Sequence, residues 1–227
     1  MAWEITDPLE REYMQQVSLV IFDMDGVLVD VESSWGWIHT YYGIDNWDTV
    51  QAYLGNKIDD NEFMNRDISL WKKKGMGKKE LYDILAHVPL MPGARECLSV
   101  LRRHGIPTAI VSAGLDVLAD RIAHELGINY VLANGIEIQG GRLTGRGILR
   151  VSPRAKDDPI KTLCDELQIH PETVVSIGNS HFDIRMFQVT GKGIAFNPMD
   201  QDTQTAADVV ITTKDLNLIL PHVGITI

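Results

Sequence analysis

Hydrophobic residues along this chain fall into short, nearly unbroken runs separated by longer amphipathic stretches. Residues 17–22 (VSLVIF) form one such run, which stops at Asp23-Met24-Asp25-Gly26. Residues 106–111 (IPTAIV) repeat the pattern and stop at Ser112-Ala113-Gly114. Residues 173–177 (TVVSI) end at Gly178-Asn179, and residues 192–196 (KGIAF) and 208–211 (DVVI) are weaker versions. Short apolar runs of this kind are expected of strands covered on both faces of a parallel sheet. Between them, residues 94–104, 115–126, 159–167 and 183–189 have helical spacing, each with Gly or Pro close beyond its end. Strands alternating with helices predict an α/β fold, a Rossmann-like doubly wound parallel sheet with helices on both faces. Ligands of such sheets bind at the carboxyl ends of the strands, where every polar cluster above falls.

Residues 31–89 break the alternation. They hold four of the five tryptophans (Trp35, Trp37, Trp47 and Trp71), keep helical spacing, and close at Pro89 and Pro92-Gly93. A helical cap inserted after the first strand is expected over 31–89, with a core built from 1–30 and 90–227. Residues 130–147 alternate apolar and polar positions around Gly140-Gly141, the turn chemistry of a hairpin.

Composition narrows the function classes. A chain of 227 residues is long enough for one core and a small second lobe. Its net charge of −10 argues against non-specific nucleic-acid binding, which needs an excess of Lys and Arg. It does not exclude a small anionic substrate, because a metal and a few local cations override the mean field. No apolar stretch approaches the length of a membrane span. The early residues Glu4, Asp7, Glu10, Arg11 and Glu12 do not read as a secretory leader. The expectation is a soluble cytoplasmic protein, monomer or homodimer, without nucleic-acid or membrane partners. Cys97 and Cys164 lie among helix-like apolar residues and read as buried reduced thiols.

The strand ends carry the candidate chemistry. Asp23 and Asp25 would point to opposite faces within a strand, but at a strand end, where the chain turns at Gly26, both can converge on one pocket. Hydrolysis of a phosphate monoester needs a nucleophile, positive charge and a general acid for the leaving oxygen. Asp23 can serve as nucleophile through an aspartyl-phosphate, and Asp25 as the acid. Taken alone, Asp-X-Asp-Gly is equally an ordinary turn, and Ser112 reads better as a helix cap. Ser112 with the following backbone N–H groups can also cradle phosphate. Lys156, in a loop before the next strand–helix unit, can neutralise a phosphate oxygen. Asn179 and Asp183 offer oxygen ligands to a hard cation.

Taken in order, Asp23-Met24-Asp25-Gly26-Val27-Leu28, Ser112, Lys156 and Gly178-Asn179-Ser180-His181-Phe182-Asp183 resemble the four motifs of the haloacid dehalogenase superfamily. Within it the chain most resembles the phosphoserine phosphatases. Glu32 stands nine residues after Asp23, and Val111-Ser112-Ala113-Gly114-Leu115-Asp116, Ala133-Asn134 and Gly193-Ile194-Ala195-Phe196-Asn197 are similar to that family's segments. The resemblance implies a Mg²⁺-dependent phosphatase for a small phosphorylated metabolite, phosphoserine first among candidates. It makes Asp23 the nucleophile and Asp25 the acid/base. It gives Ser112, the Ala113 N–H and Lys156 to phosphate, with Lys161 a competitor to Lys156. It gives Glu32 to a substrate amine and Arg66 to a substrate carboxylate. The metal would be held by Asp23, Asp25, Asn179 and Asp183.

Three departures stand out. Asn179 replaces an aspartate, so weaker metal binding is expected. Phe182 replaces an asparagine, and Gly26-Val27 replace hydroxyl residues. These leave open a sugar phosphate or phosphoglycolate as substrate, and a catalytically weakened binding or regulatory protein. His39 and His181 are further candidates near the cleft.

Overall fold

A computed structural model describes residues 17–225. The acidic N-terminal residues discussed above lie outside the described residues. Strand β1 (Leu19–Phe22) is wholly buried and pairs in parallel with β2 (Thr108–Leu115) on one side and β5 (Val174–Gly178) on the other. Strand β3 (Tyr130–Gln139), strand β4 (Arg142–Ile148), strand β6 (Lys192–Phe196) and strand β7 (Val209–Ile211) complete a seven-stranded sheet of order β4-β3-β2-β1-β5-β6-β7. All neighbours are parallel except the β3/β4 hairpin. Gly140 and Gly141 turn that hairpin with φ of 56° and 76°, values a two-residue loop of this hand requires. The order reverses direction at β1, so a crevice opens outside its carboxyl end.

The period-two alternation of β1 divides the core. Leu19 and Ile21 face Ile160, Leu163 and Cys164 of α7 (Asp157–Leu167) and Met186 and Phe187 of α8 (Ile184–Val189). Val20 and Phe22 face α5 (Ala94–Arg103), which carries Cys97, and α6 (Asp116–Leu126). Helix α7 begins two residues earlier than its pattern predicts. Asp157 and Asp158 favour the positive end of a helix, and Pro159 is tolerated in a first turn. Strand β2 runs further than predicted, through Ser112 to Leu115, with its pairing to β3 interrupted between Val111 and Leu115. A short helix α9 (Gln201–Ala206) precedes β7.

Residues 31–89 hold four helices: α1 (Ser34–Tyr42), α2 (Trp47–Leu54), α3 (Asp60–Lys73) and α4 (Lys78–Leu85). Ser33 and Asp59 cap α1 and α3 by accepting from the Gly36 and Glu62 N–H groups, and Gly43 ends α1 in the left-handed region. Their apolar faces do not form a core of their own. Ile38, Ile68, Trp71 and Leu81 join the same continuous cluster as Val20 and Phe22. Among the described residues no helix is long and apolar enough to cross a membrane.

Gly193 of β6 sits under α8, where an added Cβ would lie 2.5 Å from Phe187 Cβ. Gly193→Ala is therefore expected to cost about 1–3 kcal/mol through overpacking. A urea titration should show a lower midpoint with an unchanged slope.

Candidate active site

The crevice at the end of β1 is a cleft of about 360 Å³ roofed by α1–α3. Asp23, the residue after β1, donates its N–H to Ile177 O at 2.9 Å, so its backbone is pinned to β5. The chain then turns sharply. Met24 O accepts from the N–H groups of Val27, Leu28 and Val29, and Gly26 adopts φ 77°. A Cβ at Gly26 would lie 2.0 Å from Asn179 Nδ2, so the glycine both makes the turn and leaves room for the Asn179 amide beside the acidic pair.

Lys156, at the start of α7, is the buried cation of the site. Its Nζ is 3.0 Å from Asp23 Oδ1 and 2.6 Å from Asp183 Oδ1. Asp183 Oδ2 accepts from Asn179 N, Ser180 N and Ser180 Oγ. Both oxygens of Asp183 are thus engaged in fixing Lys156 and the loop after β5. Where a metal ligand was expected, the geometry makes Asp183 a partner of the lysine. The competitor Lys161 points outward to Asp157 at 2.6 Å.

Burial opposes the charge on Lys156, but Asp183 and Asp23 overcome it and hold the ammonium above the usual lysine range. Burial pushes the Asp23 carboxyl up, with Lys156 pulling it back and Asp183 adding to the rise. The two shifts differ in meaning. Lys156 is locked as a cation, whereas Asp23 is short of positive charge. Asp25 is pushed up to about 7 by burial, although the Ser34 N–H and hydroxyl both donate to its Oδ2 at 2.8 Å. A carboxyl titrating near neutrality is suited to donating a proton to a leaving oxygen.

Ser112 is buried, lines the cleft beside Asp23, and accepts from Gly114 N at 3.1 Å. Ala113 O accepts from Trp35 Nε1 at 3.2 Å and from Asn134 Nδ2 at 3.1 Å. Asn134 also donates to Val151 O and accepts from Arg150 N and Val151 N. It bolts the end of β2 that carries Ser112 to the segment leading to Lys156.

The site has the marks of a hard-cation site. Asp25 Oδ1 is buried without a hydrogen-bond partner, and Asp23 Oδ1 touches Lys156 without an aligned hydrogen bond. Asp23, Asp25 and Asp183 share a single ammonium, an imbalance that a divalent cation would offset. Among the described residues no three His, Cys, Asp or Glu side chains form a metal-holding group. Here two acids have an amide, Asn179, as their neighbour.

Residues 20–188 match the haloacid dehalogenase-like hydrolases. The chain belongs to that family. It is 31% identical over 208 residues to a phosphoserine phosphatase of Archaeoglobus fulgidus, a match covering 90% of this chain and 59% of that protein. It is 28% identical over 208 residues to one from Idiomarina loihiensis, covering 89% of this chain and 91% of the relative. A substrate-bound phosphoserine phosphatase structure is 25% identical with a TM-score of 0.78, covering 90% of this chain and 97% of that one. A phospho-aspartyl intermediate analogue of phosphoserine phosphatase has the same identity and TM-score, covering 91% of this chain and 99% of that one.

The family motifs converge, so Asp23, Asp25, Ser112, Ala113, Lys156 and Asn179 all line one cleft. Glu32 lines it too, exposed beside α1. Arg66 does not. It lies in a separate depression with Thr49 and Lys73, its Nε 2.8 Å from Glu62 Oε1. The structure does not bring Arg66 to the cleft, where the substrate-carboxylate role implied by the resemblance would need it. His39 is also out of reach of the cleft, enclosed in the cap by Asp67 at 3.0 Å and by Trp71. His181 does line the cleft. Ser34 and Trp35 had no place in the motif pattern and Asn134 had a place but no role, although Ser34 is the direct partner of Asp25. A second serine behind the cap residue Ser33 was its only signal.

Deleting the Ser34 hydroxyl removes a donor that favours ionised Asp25. Ser34→Ala should raise the Asp25 titration midpoint by roughly one pH unit, the worth of one charge-assisted hydrogen bond. Carboxyl-carbon NMR titration of chelator-treated protein measures it, and an unmoved midpoint would separate Ser34 from Asp25.

Proposed function

We propose that this chain is a Mg²⁺-dependent phosphomonoesterase that works through an aspartyl-phosphate on Asp23. The observation that carries the reading is the placement of Asp23 at a strand end, between a buried cationic Lys156 and an Asp25 whose carboxyl titrates near neutrality. The substrate's phosphate would lie against Ser112, the Ala113 N–H and Lys156, with Asp23 Oδ as attacking atom. The P–O ester bond breaks as the Asp23–phosphorus bond forms, and Asp25 gives its proton to the departing alkoxide. Asp25, now ionised, takes a proton from water as that water opens the acyl-phosphate, releasing inorganic phosphate and regenerating Asp23. Asp23, Asn179 and the Asp25 backbone carbonyl would hold the Mg²⁺, which supplies positive charge against the phosphate oxygens. Asp183 acts by holding Lys156. The relatives named above make phosphoserine the first substrate to try. Without Arg66 in the cleft, that reading loses the cation expected to meet a carboxylate.

Two measurements test this reading. Asp23→Asn should lose phosphate release from small phosphate esters by on the order of 10³-fold or more, as expected for a nucleophile. Turnover that survives the substitution would rule out Asp23 as the attacking group. Asn179→Asp should tighten Mg²⁺ binding by roughly tenfold, about 1.4 kcal/mol, because an added charge reaches a hard cation. Calorimetry reads this directly, and an unchanged affinity would take residue 179 out of the ligand set.

A further inference from the structure

The leaving alcohol of any ester whose phosphate sits between Asp23 and Lys156 must occupy the outer part of the cleft. That part is walled by apolar side chains. Trp35, Leu54, Phe63 and Met64 come from the cap, and Leu149 and Pro153 from the core. Among the described residues, Lys156 is the only lysine or arginine that lines the cleft, and it is already shared by Asp23 and Asp183. Arg154, next in sequence to the lining residue Pro153, is turned onto the Tyr53 ring, 4.1 Å from its centroid, and donates to Tyr53 O. The other charged groups on the wall are Glu32, Asp60 and Asp200. Asp60 accepts from the Tyr53 hydroxyl at 2.6 Å, and Asp200 accepts from the N–H groups of His181 and Thr203. His181, the one group there able to become cationic, lies 3.9 Å from Asp200.

A carboxylate on the leaving group would therefore enter a wall that is largely apolar, whose polar groups are neutral or acidic, and that has no fixed cation to meet it. An anion desolvated without a partner is strongly disfavoured, and nearby acids add repulsion. An apolar alcohol gains contact area instead, and an ammonium on that alcohol would have Glu32 within the same wall. We infer that this cleft prefers phosphate monoesters of apolar or amine-bearing alcohols over esters whose alcohol carries a carboxylate. The inference rests on the phosphomonoesterase reading and specifies its substrate class. The chemistry is unchanged: one P–O bond is exchanged for another on Asp23, and the leaving oxygen receives the Asp25 proton.

The test is a matched pair, O-phosphoserine and O-phosphoethanolamine, which differ only in the carboxylate, with phenyl phosphate as the apolar member. With Mg²⁺, kcat/KM for phosphoethanolamine and for phenyl phosphate should each exceed that for phosphoserine by about tenfold or more, the scale of an unpaired polar group in a site. Leu54→Arg places a cation on the cleft wall at an exposed position and should narrow the gap by raising phosphoserine turnover. Arg66→Ala should leave all three values within about twofold, as expected for a surface change away from the site. Phosphoserine turned over as well as phosphoethanolamine would overturn the inference, as would a phosphoserine-specific loss in Arg66→Ala. Binding of the three esters to Asp23→Asn protein, read by calorimetry, separates this inference from the reading beneath it. The same ranking in binding without wild-type turnover would overturn the enzyme reading alone, whereas tightest binding of phosphoserine would overturn the specificity.

Discussion

The architecture is organised around a buried ammonium. Lys156 is almost fully enclosed, and it stays charged only because Asp23 and Asp183 flank it. Removing either acid would leave a charge inside the protein without its full complement, a far larger disturbance than loss of a surface ion pair. Each member of the trio reaches the centre from a different part of the sheet. Asp23 follows β1, Asp183 sits in the turn after β5, and Lys156 opens α7. The strand order and the fixed register Phe22↔Ile177 are what bring them within contact distance. The same trio leaves the acidic side in excess, which is why buried carboxylate oxygens remain under-satisfied and why a hard cation suits the place.

The parts of this arrangement that could be read from the sequence depended on short-range rules. Buried parallel strands must be nearly continuous apolar runs, and their ends must carry the polar residues, so Asp23, Ser112 and Asn179 were legible as a set. The hairpin was legible because only Gly140-Gly141 could turn it. Arg66 shows where such rules stop. Helical spacing placed it on α3 but did not say which face looked into the cleft. Met64, Ile68 and Trp71 define the buried face, and at about 100° per residue Arg66 lies on the far side, two positions from Met64. The role of Asp183 was blurred for a related reason. An acid near a metal and an acid that holds a lysine have the same spacing. Only the occupied oxygens distinguish them.

The helical insertion and the sheet share one apolar cluster, and two of the polar links between them lie at the cleft. Ser34, the first residue of α1, holds Asp25 and accepts from Leu115 N at 3.2 Å. Trp35, the next residue, is bonded to the carbonyl of Ala113 and stacks near Trp71, with ring centroids 5.1 Å apart. Two adjacent residues of one helix thus touch both Asp25 and the Ser112–Leu115 end of β2, while their neighbours anchor the insertion.

That coupling makes size selection more than a matter of volume. A leaving group large enough to wedge α1 outward would draw the Trp35 indole away from Ala113 O and the Ser34 donors away from Asp25. The Ser112–Gly114 segment would lose a restraint, and the Asp25 carboxyl would lose two donors that favour its ionised form and so become a weaker acid. On the proposed mechanism, bulky esters would then be rejected kinetically even where they can be admitted, because fitting them weakens the acid that protonates the leaving oxygen.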